Sequence, residues 1–396
     1  MLDCMEADRA RLLALEAQIV DLEHSLSGLR REKARIRARL DAYKYPVLTL
    51  PNEVTSEIFI HFLPIYPAIP PLVGLASPTC LTLVCHKWRE VALTTPTLWR
   101  AIEFNDDRGI LYEHIRRISD AWIGRSGSCL LSINIAVDSP DFLKETLTKS
   151  LAEATTRWEH LQAWIPKSSF PKIDSPMPLL RSLRLSSAIF EDDDDLTFAE
   201  VPPHFCTTAT PQLRTVVLFG TFSSKATLPW AQLTCLTLDH VGVNRCVSIL
   251  QQTPKLVQCT LHLYFEPHMS LDFHESPLSL PCLKSLTLDT FSQQVAMILN
   301  SFIVPSLCTL KLRDAYLGED SISMLKSFIS QSGCALQEVC IMGNTTTRHE
   351  SYRSAFPSIP TFTFTVPNRA IDENDDAEGK NNSDSSDAET DPTSDA

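Results

Sequence analysis

Glycine is scarce in this chain, at 11 of 396 residues, and neither G-x-x-x-x-G-K-[ST] nor G-x-G-x-x-G occurs. The loops that cradle nucleotide phosphates are thereby excluded. Paired cysteines are lacking too. Twelve cysteines are spread from Cys4 to Cys340 with no C-x-x-C, which argues against a zinc ribbon or a disulfide framework. Cys85 and Cys259 fall where local patterns want a small apolar residue, and free cysteine packs as one. Cys80, Cys85 and His86 form the one grouping with metal-ligand character, and no metal or other cofactor is expected. This cysteine usage fits a reducing, intracellular compartment, cytoplasmic or nuclear.

Long apolar runs are missing as well. The most apolar window, residues 59–76, is interrupted by Pro64, Pro67, Pro70 and Pro71 and carries His61 at its start. A bilayer span needs ~20 apolar residues in unbroken helix, so no membrane partner is expected. The opening MLDCMEADRARL has neither the basic start nor the apolar run of an export signal. Catalytic constellations are equally scarce. His204, His240, His262 and His274 stand singly, GRSGS at Gly124–Ser128 lacks the spacing of a hydrolase elbow, and the acidic run Glu191–Asp195 has no glycine turn or terminal bidentate acid for a cation. No enzyme is expected.

The formal charge of −13 is unevenly placed. Residues 371–396 hold ten Asp/Glu and one Lys, so −9 lies in a tail of Asn, Ser, Asp and Thr and −4 in residues 1–370. Such a tail buries too little surface to repay its ordering entropy, so residues 367–396 are expected to be disordered. Nucleic acid is an unsuitable partner for either part.

What is present begins with a heptad rhythm. Met5, Leu12, Leu15, Ile19, Leu22, Leu26, Leu29, Ile36 and Leu40 follow alternating steps of three and four, broken by Asp8 and Lys33. Residues 1–44 therefore read as an amphipathic, coiled-coil helix that self-associates through residues 5–40 or folds back on the body. Its charge is segregated: −4 over residues 1–29 and +5 over residues 30–44. A parallel in-register dimer would stack like on like, so self-association is expected to be antiparallel.

Residues 50–102 hold compact helices. Val54, Ile58 and Phe62 recur every four residues, and Leu81, Val84, Cys85, Trp88, Val91 and Ala92 form a stripe from which Lys87, Arg89 and Glu90 point away. Leu50-Pro51 before the first helix, VC-x-x-W in the second and P-x-L-W at the end resemble an F-box, the helical module by which receptors attach to a cullin-type ubiquitin ligase. The resemblance covers about an eighth of the chain. It implies a Skp-family cullin adaptor as partner and Leu50, Pro51, Ile58, Leu63, Val84, Trp88 and Trp99 as adaptor-binding candidates. Part of that set must be the module's own core, Trp88 first; Leu50 and Pro51, at its mouth, are the better interface candidates. The insert Pro64–Pro78 lengthens the helix–helix link beyond the family's usual form.

Beyond a helical stretch near Tyr112–Ile123 and a strand at Leu131–Ile135, a pattern P-x-L-x-x-L-x-L recurs. Its first leucines are Leu180, Leu213, Leu233, Leu256, Leu283, Leu307 and Leu336, with an earlier copy at Leu161–Trp164. Steps of 20–29 residues, with one of 33 that holds the acidic insert, resemble a leucine-rich repeat. The family's turn asparagine is replaced by Ala188, Val241, Phe291 and Ala315, which implies an irregular solenoid held by apolar packing. Strand alternation puts Arg184, Ser186, Thr237, Asp239, Thr287, Asp289, Lys311 and Arg313 on its concave face as target-binding candidates.

The expected architecture is therefore α/β and multi-domain: a coiled-coil helix at 1–44, an all-helical F-box-like module at 45–105, an irregular leucine-rich-repeat solenoid at 106–366 and the acidic tail. This plan is similar to that of fungal F-box-like proteins, including the leading helix that runs into Tyr45–Pro51. It implies a receptor that bridges the adaptor and an unidentified target protein. The alternative is a scaffold without a ligase that dimerises through residues 5–40.

Overall fold

The structure, a computed structural model, describes residues 2–43, 46–105, 112–137, 149–165, 176–187, 205–206, 208–220, 222–223, 226–264, 277–290, 296–313, 317, 320–343 and 347–365. The acidic tail, Glu191–Asp195, His204, His274 and the turn positions Ala188, Phe291 and Ala315 lie outside these residues. The fold is mixed α/β, with a helical N-terminal part and a mostly parallel sheet. It divides into two compact units, Met1–Ile135 with Glu145–Trp158, and Ala136–Lys144 with Glu159–Ala396. Among the described residues, no helix is long and apolar enough to cross a membrane.

The first unit opens with α1 (Leu2–Ala42), a continuous helix rich in Leu, Ala, Arg and Glu and free of proline, as high helix propensity requires. The short helices α2 (Asn52–Phe62), α3 (Pro78–Val84) and α4 (His86–Leu93) follow, then β1 (Ala101–Asn105), α5 (Tyr112–Arg125), β2 (Leu131–Ala136) and α6 (Lys149–Glu153). Residues 101–105, expected within an all-helical module, are a strand; β1 lies beside β2, and the Ser132 N–H donates to the Arg100 carbonyl at 2.9 Å. The core here is Phe59, Leu98, Trp99, Ile102, Phe104, Ile115 and Trp122, each at most 2% exposed.

In the second unit, strands β3 (Trp158–Ile165), β4 (Ser182–Ser187), β5 (Thr215–Leu218), β6 (Cys235–Gly242), β7 (Gln258–Tyr264), β9 (Ser285–Thr290), β11 (Thr309–Arg313), β12 (Glu338–Met342) and β13 (Thr361–Thr365) lie side by side in chain order, each parallel to the next. A separate parallel pair joins β8 (Leu278–Ser279) to β10 (Phe302–Ile303). Parallel neighbours need a crossover, supplied by α7 (Val243–Leu250), α8 (Ala296–Ser301), α9 (Ser321–Ser332) and α10 (His349–Ala355).

The register sets leucine on leucine. Leu183, Val216, Leu236, Cys259, Leu286 and Leu310 face one another in turn, and Leu185, Leu218, Leu238, Leu261, Leu288 and Leu312 form a second row two residues on. Each proline of the repeat has a definite place. The N–H of Leu213, Leu256, Leu283 and Leu307 donates to the carbonyl three residues back, at 3.1–3.3 Å, with the proline second in the turn. That is the turn position that proline's fixed φ favours. Phe356-Pro357-Ser358-Ile359 closes in the same way, and Phe362 and Phe364 of β13 continue the two rows next to Val339 and Ile341. This further copy has aromatic residues where the others have leucine.

Main-chain hydrogen bonds tie each turn to the next at strand entry. The Arg181 carbonyl accepts the N–H groups of both Arg214 and Thr215, at 3.0 Å each, and the Arg214 carbonyl accepts those of Thr234 and Cys235. Thr234, Val257, Lys284 and Cys308 repeat the arrangement, at 2.8–3.1 Å.

All twelve cysteines are free. Cys259 stands in the first leucine row and is 2% exposed, as its position in the repeat suggests. Burial pushes the Cys246 thiol up to about 12 and the Cys259 thiol well above its ordinary range. Cys206 is exposed, and hydrogen bonds from the Thr208 side chain and nearby main chain lower its pKa.

Two outcomes are expected. Leu286→Ala removes a fully buried side chain and should cost ~2–5 kcal/mol in urea unfolding, whereas Thr287→Ala, on the outward face, should stay within ~0.5 kcal/mol. Iodoacetamide at pH 8 should modify Cys206 ahead of the other thiols and leave Cys246 and Cys259 unmodified until the protein unfolds, since thiolate and access together set the rate; peptide mass mapping reads both.

Candidate functional site

The first surface is built by α2, α3 and α4. No side chain caps α2 at Pro51; instead the Thr55 N–H and hydroxyl both donate to the Pro51 carbonyl, at 3.0 Å each. The helix ends at Leu63, which is extended, as a residue before proline prefers. Thr55 and Phe59 point inward, and the Phe59 ring meets Trp88 edge-to-face at 5.0 Å. The flank next to this inward face carries Val54, Ile58 and Phe62 at 45, 48 and 44% exposure.

The stripe expected as one helix from Leu81 to Ala92 is broken. Cys85 is extended (φ −158°, ψ 171°), and its Sγ accepts the Trp88 N–H at 3.5 Å as the cap of α4. The break separates residues that a single helix would align. Leu81, Val91 and Ala92 stay in the core, while Leu83 and Val84 are 75 and 60% exposed. Lys87, expected to point into solvent, instead sends its Nζ to the carbonyls of Leu48 (2.8 Å) and Leu50 (2.7 Å). The ammonium thus clamps the turn Pro46–Thr49 and the Leu50-Pro51 step to the first turn of α4.

Of the seven adaptor-binding candidates, Pro51, Ile58 and Val84 are exposed, and Leu50, Leu63 and Trp88 are half-buried. Trp99 is wholly buried: its Nε1 donates to the Ala92 carbonyl at 2.9 Å, its ring meets Trp122 at 5.4 Å, and the Arg125 guanidinium lies over it at 4.7 Å. It therefore holds the unit together and offers no surface to a partner. Val54 and Phe62, read from the sequence with Ile58 as a helix face but not as adaptor-binding candidates, are exposed too, as is Leu83. The insert adds Ile65 and Leu75, each 90% exposed. It is anchored by the Ser77 hydroxyl on the Leu72 carbonyl (2.8 Å) and the Ser132 hydroxyl on the Pro67 carbonyl (2.9 Å).

The second surface is the outward face of the sheet in the second unit. Arg184, Thr237, Thr287 and Lys311 share one row, completed by Val217 and Thr260. Gln162 and Trp164 of β3 pair with Arg184 and Ser186, so a tryptophan with 37% of its surface exposed stands beside Ser186. Asp239, His262 and Asp289 follow one another in register. The Asp239 carboxylate faces two imidazoles, with His240 Nδ1 at 2.9 Å and His262 Nδ1 at 3.6 Å. A bulge in β6 makes this possible: His240 takes a left-handed conformation (φ 50°) as the extra residue, which returns Val241 to the core. Asp289 pairs with the Arg313 guanidinium, and the Arg184 guanidinium lies 5.7 Å from the centre of the Phe219 ring. Sequence separation hid these partnerships; only the register brings Asp239 to His262 and Asp289 to Arg313. Among the described residues, no group of three or more His, Cys, Asp and Glu is placed to hold a metal ion.

The Lys87 clamp makes a prediction. Lys87→Met keeps the aliphatic stem and removes a charged donor from two carbonyls. Stability should fall by about 1–3 kcal/mol, and amide exchange should quicken at residues 47–51 while the sheet of the second unit is unaffected, as hydrogen-exchange mass spectrometry would show. No family model and no curated protein matches this sequence.

Proposed function

We propose that the chain is the substrate-recognition subunit of a Skp–cullin–F-box type ubiquitin ligase, its helical unit binding the Skp-family adaptor and its repeat solenoid binding the target protein. It contributes proximity rather than chemistry. The observation that carries this reading is the exposed apolar row Val54, Ile58 and Phe62 on α2, flanking the buried Thr55 and Phe59, together with exposed Leu83 and Val84 on α3. Single exposed apolar residues need no explanation, but a contiguous set marks an interaction surface. A helix displaying apolar residues at every fourth position suits the helix-in-groove mode of binding. Leu50 and Pro51 join this surface because Lys87 holds their main chain in place. The polar sheet face, with Trp164 as an aromatic anchor and charges of both signs, supports protein or peptide recognition in the second unit.

A scaffold without a ligase is the second reading, favoured by the exposed apolar seam of α1, from Met5 to Leu40. Adaptor binding separates the two. The intact protein should retain purified Skp-family adaptor in a pull-down. Ile58→Glu, which puts a charge on the exposed face of α2, should weaken binding at least ~30-fold, and Leu50→Ala/Pro51→Ala should weaken it as well. If the folded protein does not retain the adaptor, or if Ile58→Glu binds as the parent does, the receptor reading fails.

A further inference from the structure

The seam of α1 has a second feature besides its exposure. Met5, Leu12, Ile19, Leu26, Lys33 and Leu40 recur every seven residues, and Asp8, Leu15, Leu22, Leu29 and Ile36 follow each of the first five by three. These are the a and d positions of a heptad seam. Its apolar members are all between 40 and 69% exposed, and Asp8 and Lys33 are exposed as well. Antiparallel coiled coils set a against d. When two copies are placed so that Asp8 faces the partner's Lys33, every other layer falls into step. Leu12 then meets the partner's Leu29, Leu15 the partner's Leu26, Ile19 the partner's Leu22, and Met5 the partner's Ile36. The two polar breaks are thus spaced to satisfy one another twice across a two-fold axis.

We propose that α1 is the dimerisation surface of this chain and that its occupant is a second copy, antiparallel, locked in register by reciprocal Asp8–Lys33 pairs. The proposal is independent of the ligase reading. Charge segregation agrees only at the ends, where the +5 of residues 30–40 lies along the partner's residues 1–11 (−1), while residues 12–29 (−3) face the same segment of the partner. The rim of the seam opposes it. A parallel pair would place Arg11 beside the partner's Glu16 and Glu32 beside the partner's Arg37, whereas the antiparallel pair brings Glu16 near the partner's Glu23. Exposed rim pairs each shift an equilibrium by only roughly twofold. A parallel dimer would stack Asp8 on Asp8 and Lys33 on Lys33 inside the seam, where like charges cost on the order of a hundredfold. The seam outweighs the rim. At ~1.5 Å per residue, the antiparallel arrangement sets the two Ala42 ends roughly 60 Å apart, so each copy's helical unit emerges at its own end of the rod.

Sedimentation of the intact protein tests this. The parent chain should show a concentration-dependent dimer in the micromolar range. Asp8→Lys should weaken it at least ~10-fold, Lys33→Asp likewise, and the double variant Asp8→Lys/Lys33→Asp should return to within ~3-fold of the parent. Both substitutions are at exposed positions, and circular dichroism would verify that α1 persists in all three variants. A monomer at ~100 µM, a higher oligomer, a dimer indifferent to Asp8→Lys, or a double variant no better than the singles would each overturn the proposal. Parallel pairing predicts the last two, because there each exchange merely swaps one like-charge layer for another.

Discussion

In the second unit, one carbonyl per turn accepts two N–H groups from the next turn, and the register of the sheet depends on it. A one-residue slip between parallel strands would turn every side chain to the opposite face. It would expel Leu236, Leu286 and Leu310, none of which has measurable exposure, and bury Thr237, Thr287 and Lys311. The proline turns close with the same hydrogen bond at strand entry, and the bonds from Arg181 through Cys308 then join turn to turn as the strands begin. Main chain thus does what a turn side chain could otherwise do, and the apolar rows need only fill the space beneath. Each buried leucine adds ~1.5–3 kcal/mol, and each depends on a neighbour from another turn, so the sheet stands or falls as a set.

That register also makes the outward face. Strands ~4.8 Å apart bring Trp164, Arg184, Asp239, His262, Asp289 and Arg313 onto one face of seven adjacent strands although they span 150 positions. Several are already engaged: Asp239 by two histidines, Asp289 by Arg313 and Arg184 by Phe219. A charge held by a neighbour has a defined direction and is less free to collapse onto an arriving partner. The bulge at His240 serves the same end, placing one more imidazole beside Asp239 without taking Val241 out of the core.

Much of this was legible in the chain because it is repetitive. The leucines of P-x-L-x-x-L-x-L named the strands: the early copy puts Leu161 in β3, and the late copy that begins at Leu336 puts Val339 and Ile341 in β12, in register with their neighbours. The copy at Ile359, Phe362 and Phe364 escaped because aromatic residues took the leucine places under Tyr352 and Phe356. In the helical unit, periodicity from Leu81 to Ala92 ran through a break that hydrophobicity does not mark. Cys85 fits an apolar stripe and also caps a helix, and only its backbone shows which it does. Trp99 was a candidate because P-x-L-W resembles an F-box motif, yet which tryptophans face inward depends on Trp122, 23 residues further on. Lys87 looked like a solvated residue because its two acceptors are carbonyls, to which side-chain patterns are blind.

The exposed surfaces of the two units differ in what they ask of a partner. The row Val54, Ile58 and Phe62 gains by leaving water and has few directional bonds to satisfy, so it suits a partner that covers it for long periods. The sheet face has the opposite character. Its carboxylates and guanidinium groups must exchange one set of hydrogen bonds for another, which yields selectivity and rapid exchange more than affinity. On the proposed reading this division is functional: a receptor must keep its adaptor while successive targets come and go. It also explains why the apolar set lies on short helices clamped by Lys87 and Trp99 rather than on loops. A lasting contact gains from a surface whose ordering was completed when the unit folded.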